Sequence, residues 1–321
     1  MEEHEHEPTE DHAKPELLFH YTGQSGLDGI LKDDCIWATH YRFLNDSVER
    51  QHGLDIYKDA ILRIASEHFG AVEPAKTLAE YFQRSYTNAL NAYIVSFCTS
   101  YTKEEYEIAR QTGVPLTEDG RGGDRLSQWR GYVAPGSQGY CLAFDFQLLR
   151  QIHQFSLGRC YYKFCIYPDD IKRKWVETHV SELFDPQASC FAISDLKNLD
   201  SLRNALKKDQ TRNDMVKEFI CDMVFLCGIL KHIGFKEENE YRLIKFVLRG
   251  KSNPENVCLA PESKPHIEIP LNLAGENSPL RAIFVGPSAN RDQAAIVLRI
   301  RLEQMGLSHV EVIPSDIPYR G

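Results

Sequence analysis

A chain of 321 residues with 42% hydrophobic content can bury a sizeable core as one large or two ordinary domains, and no apolar run reaches the roughly 20 residues that span a bilayer. The formal net charge of −9 argues against broad, sequence-independent attraction to nucleic-acid backbones or anionic lipid. The acidic N-terminus has neither the basic nor the apolar region of a signal peptide, so the expected location is the cytoplasm.

Residues 1 to 15 alternate acids with His4, His6 and His12, and their composition predicts a disordered acidic and histidine-rich tail. From Leu17 the pattern changes. Leu17 to Thr22 reads as a buried strand, Gly23 to Lys32 as a turn and short helix, and Cys35 to Thr39 as a second strand. Asn45-Asp46-Ser47 turns into a helix from about Val48 to His68, followed by another from about Pro74 to Leu90. Ala92 to Cys98 is the next strand. The polar stretch after it, ending in Gly120-Arg121-Gly122-Gly123, reads as a long loop with a glycine hinge. Gly139 to Asp145 and Cys160 to Ile166 are strands with a helix between them, and about 169 to 231 is a mainly helical insertion. Its last part, Met215 to Leu230, is apolar nearly all round, as a buried helix is. The acidic stretch Glu237 to Arg242 then opens an apolar strand running to Leu248. Ala282 to Val285, Asp292 to Met305 and Val310 to Ile313 close the chain as strand, helix and strand, the two strands parallel. The expected whole is one α+β domain over residues 16–321, with early, middle and acidic strands in one mixed sheet under helical cover.

Nine cysteines contain no C-x-x-C pair and fit neither a zinc framework nor a secreted disulfide scaffold, so no structural metal is expected. G-x-S-x-G, H-E-x-x-H, the P-loop and G-x-G-x-x-G are also missing. What remains is a constellation: His20, Tyr21 and Thr22; Asn45 and Asp46; Ser96; Trp129, Arg130 and Tyr132; and Glu238, Glu240 and Arg242. On a strand, the period of two would put those last three on one face.

In the order Phe19-His20-Tyr21-Thr22, Ile36-Trp37-Ala38-Thr39, Leu44-Asn45-Asp46, Val95-Ser96-Phe97, Gln128-Trp129-Arg130-Gly131-Tyr132, Glu238-x-Glu240-Tyr241-Arg242 and Ile317-Pro318-Tyr319-Arg320, the chain resembles the prokaryotic family called domain of unknown function 2971. That family is remotely similar to the ADP-ribosyltransferase fold. The resemblance implies NAD as co-substrate, an enzyme that breaks the nicotinamide glycosidic bond, and transfer of ADP-ribose to an acceptor that is a protein, a nucleic acid or a small molecule. It also suggests a toxin or phage-defence effector. By position it gives His20 the ribose-binding role and Glu240 the catalytic one, with Tyr132 or Trp129 stacking on nicotinamide and Glu238 orienting the acceptor.

Chemistry accounts for these roles independently. Cleaving the bond leaves positive charge on the ribose, and a carboxylate about 4 Å away gains about 4 kcal/mol at an effective dielectric of about 20. An aromatic face suits a flat cationic ring, and Arg130 or Arg242 suits a pyrophosphate. Each residue also has a plainer reading: His20 as a hydrogen-bonded core residue, Tyr21 and Trp129 as packing, Asn45 and Asp46 as a turn and helix cap, Arg242 as an ion-pair partner of Glu238 or Glu240. Two other functions fit the same residues. One is a non-catalytic sensor of NAD or ADP-ribose. The other is a metal-dependent nuclease using Asp46, Glu238 and Glu240.

Overall fold

The structure is a computed structural model describing residues 15–44, 47–112, 116, 121–156, 160–185, 191–248, 257–258, 264–275 and 277–318. The acidic tail up to residue 14, Asn45, Asp46, Gly120 and the closing Tyr319-Arg320 lie outside the described residues.

Strand β1 (Leu17–Gly23) leads into helix α1 (Gln24–Asp33), which buries Leu27, Ile30 and Leu31. Asp34 ends that helix in the left-handed region and starts β2 (Cys35–His40). Helices α2 (Ser47–Phe69) and α3 (Val72–Ala89) follow, with Gly70 at φ +64° turning the chain between them, and β3 (Leu90–Cys98) comes next.

The polar stretch after β3 is not all loop. Lys103–Thr112 forms α4. A reciprocal cap opens it, the Thr102 N–H donating to Glu105 Oε2 at 2.7 Å and the Glu105 N–H to Thr102 Oγ1 at 3.2 Å. Nor do the glycines form a hinge. Gly122 and Gly123 are buried in a 3-10 turn, where a β-carbon would come 2.3 Å from Phe19 Cδ2 and 2.4 Å from Phe284 Cε2, so they are there for close packing.

Next come α5 (Leu126–Tyr132), β4 (Gly139–Asp145), α6 (Phe146–Ser156), β5 (Cys160–Phe164), α7 (Asp169–Glu182), α8 (Leu199–Lys208) and α9 (Gln210–Ile229). A 3-10 turn, Ile233–Glu238, precedes β6 (Glu240–Leu248). Strands β7 (Val257–Cys258) and β8 (His266–Pro270), which the sequence reading missed, lead to β9 (Leu280–Val285), α10 (Arg291–Gln304) and β10 (Glu311–Pro314). As expected, β9 and β10 are parallel; the other strand pairs are antiparallel.

Among the described residues ten strands share one mixed sheet in the order β10-β9-β4-β1-β3-β2-β8-β7, with β6 on β3 and β5 on β6. The ladder between β3 and β6 runs from Leu90↔Leu248 to Cys98↔Glu240. On its other edge β3 is shared: β2 holds it at Tyr93 and Ile94, and β1 at Cys98. The sheet therefore forks along β3.

Each face carries its own core. Helices α2, α3, α7, α8 and α9 pack on Ala92, Ile94 and Ile244. A smaller cluster of Phe19, Tyr21, Cys98, Trp129, Cys141 and Phe284 continues that face. Opposite, α1, α6 and α10 cover Val95, Phe97, Leu142, Phe144, Leu243 and Ile283. Among the described residues no helix is long and apolar enough to cross a membrane.

Candidate functional site

Directly paired residues of neighbouring strands face the same way, so register decides which candidates meet. Phe19 pairs with Cys98, and Cys98 with Glu240. Phe19, Cys98 and Glu240 therefore share a face. Tyr21 joins them by alternation along β1, and Ser96 and Arg242, paired with each other, do so along β3 and β6.

His20 points to the other side. Its ring lies 6.0 Å from Phe97, edge to face, and its Nδ1–H donates to the Ser96 carbonyl at 3.1 Å. Burial holds its pKa below the ordinary value, opposed by that hydrogen bond. The sheet thus separates His20 from Glu240, which the ribose-binding and catalytic roles implied by the resemblance need in one cleft. Thr22 accompanies His20.

Around Glu240 the chain builds a charged cluster at the end of the sheet. Arg242 clasps the carboxylate in a fork, Nε to Oε1 at 2.6 Å and Nη2 to Oε2 at 3.0 Å, and sends Nη1 to the Gly228 carbonyl at 2.6 Å. The Lys231 ammonium donates to Glu240 Oε2 and, at 2.5 Å, to Glu238 Oε2. The Glu240 N–H donates to the Tyr167 hydroxyl at 2.9 Å. Burial pushes the Glu240 carboxyl up, but the charges of Arg242 and Lys231 outweigh it and hold the group down at about 2. Only 2% of Glu240 is exposed, against 18% of the Glu238 side chain.

Glu238 does not belong to β6. It ends the 3-10 turn, and Asn239, at φ 44°, turns the chain into the strand. The face shared with Glu240 comes from Lys231, not from strand alternation. Glu237 is exposed, and its carbonyl, like those of Glu238, Thr99 and Ser100, accepts from the Arg125 guanidinium. Arg125 so fastens the start of α5 to the turn before β6.

Trp129 is a core residue rather than a stacking platform, 5% exposed and packed edge-on against Tyr21, with Nε1 donating to Asp124 Oδ1 at 2.8 Å. Tyr21 also packs; its hydroxyl donates to the Gly122 carbonyl at 2.6 Å and accepts the Arg125 N–H at 3.0 Å. Tyr132 is different. It is 39% exposed, lies over Tyr21 at 6.5 Å, and has its pKa raised by burial and by the nearby Glu240 and Glu238 charges. Arg130 is exposed too, but two residues before Tyr132 on a helix it points elsewhere.

Lys231, Arg125 and Tyr167 escaped the sequence reading. A lysine placed at the end of a buried apolar helix, seven and nine residues before two glutamates, was the available signal for the first. Among the described residues no group of three or more His, Cys, Asp or Glu side chains stands together as metal ligands, and Lys231 occupies the space between Glu238 and Glu240.

Residues 128–243, about a third of the chain, match the family described as "Protein of unknown function (DUF2971)". The matched span holds Trp129, Tyr132, Lys231, Glu238, Glu240 and Arg242, and leaves out His20. No curated protein and no solved structure matches the chain.

Proposed function

We propose that the surface formed by Tyr132 and Glu238 over the buried Lys231 binds a nucleotide of the NAD or ADP-ribose class without cleaving it. One observation carries this reading: the Lys231 ammonium is shared by Glu238 and Glu240, next to an exposed Tyr132. The partly exposed Glu238 carboxylate accepts from ribose hydroxyls or a carboxamide, and the Tyr132 ring offers a face for a base or nicotinamide. Two carboxylates against Lys231 and Arg242 make the cluster neutral. It lacks the uncompensated anion that a developing oxocarbenium ion calls for.

Titration calorimetry with NAD and with ADP-ribose, alongside chromatographic assay of nicotinamide, tests the proposal. Binding that weakens about tenfold in Tyr132→Ala, with no nicotinamide released, is the expected result. No binding of either nucleotide overturns it.

ADP-ribosyl transfer is the second reading, favoured by Glu238 at the end of the turn and Glu240 at the head of β6, a strand separated from β1 only by β3. Under it Glu240 acts as the electrostatic residue and Glu238 orients the acceptor. Nicotinamide release that Glu240→Gln abolishes while the fold survives would favour this reading over simple binding.

A further inference from the structure

A recess of ≈ 140 Å³ opens between the start of α4, the segment from Phe164 to Pro168, the first turns of α7 and the turn into β6, where Lys236, Asn239 and Glu240 line it. One water needs about 10–15 Å³ of such space, so the recess accommodates a compact organic molecule. Its walls are largely apolar, with Phe164, Ile171 and the half-buried Trp175, and two carboxylates, Glu104 and Glu107, stand on α4.

The protein already seats a cation here. The Lys103 ammonium lies 5.6 Å from the centre of the Trp175 ring and 3.4 Å from Glu107 Oε1. An aromatic face with a carboxylate beside it is the environment that holds alkylammonium groups, because the ring quadrupole attracts the charge and the carboxylate neutralises it. Lys103 sits on a flexible four-carbon stem near the mouth and can leave at little cost. A tethered ammonium therefore marks the position for a free one.

We propose that this recess binds a small organic ammonium ion, its charge against Trp175 and Glu107 in the place that the Lys103 ammonium fills. The recess borders the charged cluster through Glu240, but the groups this proposal uses are Trp175 and Glu107, whereas the nucleotide reading uses Glu238, Lys231 and Tyr132. The chemistry demands positive charge on a compact, partly apolar ion; an ammonium carrying methyl groups meets both requirements.

Calorimetric titration of the full chain with choline, and with 3,3-dimethylbutanol as its uncharged isostere, tests the proposal. Choline is expected to bind and the isostere to bind at least tenfold more weakly. Lys103→Gln should tighten choline several-fold by vacating the position, and Trp175→Leu should weaken it roughly threefold to thirtyfold. If Trp175→Leu does not fold, Glu107→Gln replaces it, with weaker choline binding expected. Equal affinity for choline and its isostere, or no choline binding by both the wild type and Lys103→Gln, overturns the proposal.

Discussion

Arg242 grips Glu240 from two residues along the same strand, with Nε on one carboxylate oxygen and Nη2 on the other. Such a buried pair contributes little net stability when intact, but removing one partner strands a charge. Arg242→Met is therefore expected to cost about 3–5 kcal/mol, read as a lower urea midpoint at pH 7. The double variant Arg242→Met, Glu240→Leu should recover part of that loss. An unchanged midpoint in the single variant would refute the buried-pair account.

The same clasp predicts a response to acid. Glu240 has an ordinary value of 4.5 and is held at about 2 in the fold. Its contribution is full above about pH 4.5 and is lost as the pH falls toward 2, on the order of 3 kcal/mol in all. Urea titrations between pH 5 and 2.5 should show this slope, and Glu240→Gln should lack it.

Two histidines act in a higher window. Burial lowers His153 and His179 from 6.5 to about 4 each. Nδ1 of His153 takes the Tyr162 hydroxyl at 2.5 Å while its Nε2–H donates to the Pro270 carbonyl at 3.0 Å, and Nδ1 of His179 meets the Tyr57 hydroxyl at 2.7 Å. Both are neutral in the fold, so stability is full above pH 6.5 and falls as the pH drops to 4. A His153→Gln, His179→Gln variant should have a flatter stability profile between those values than the wild type.

Glycine packing gives a prediction in a neutral buffer. Gly122→Ala and Gly123→Ala each press a methyl group into a phenylalanine ring and should cost about 1–3 kcal/mol, measured as a lower thermal midpoint. Gly131→Ala, on α5 with nothing within 4 Å of the new carbon, should be neutral or raise the midpoint.

Much of this architecture could be read from period alone. The apolar runs Leu17 to Thr22 and Ala92 to Cys98, the helical spacing of α2 and the largely apolar second half of α9 are strong local signals, and all became the expected elements. Three elements were harder. Helix α4 is mostly polar, and only its Thr102-x-x-Glu105 cap announced it; β7 is two residues long, and β8 is five residues long, follows Pro265 and ends on Pro270. For the candidate site, local pattern was not enough. That His20 and Glu240 face opposite ways depends on Phe19↔Cys98↔Glu240, a register joining three strands far apart in sequence. One residue of slippage would have reversed it.

The β3–β6 ladder also sets a timetable. Cys98 meets Glu240 only after 142 more residues have been made, which takes about 7–30 s at about 5–20 residues per second. Throughout that interval the nascent chain carries β3 with one edge unclaimed, the state in which a strand is most open to a wrong neighbour. The central strand of the finished molecule thus waits open in the newborn chain, and β2 waits longer still, because Thr39 pairs with His266.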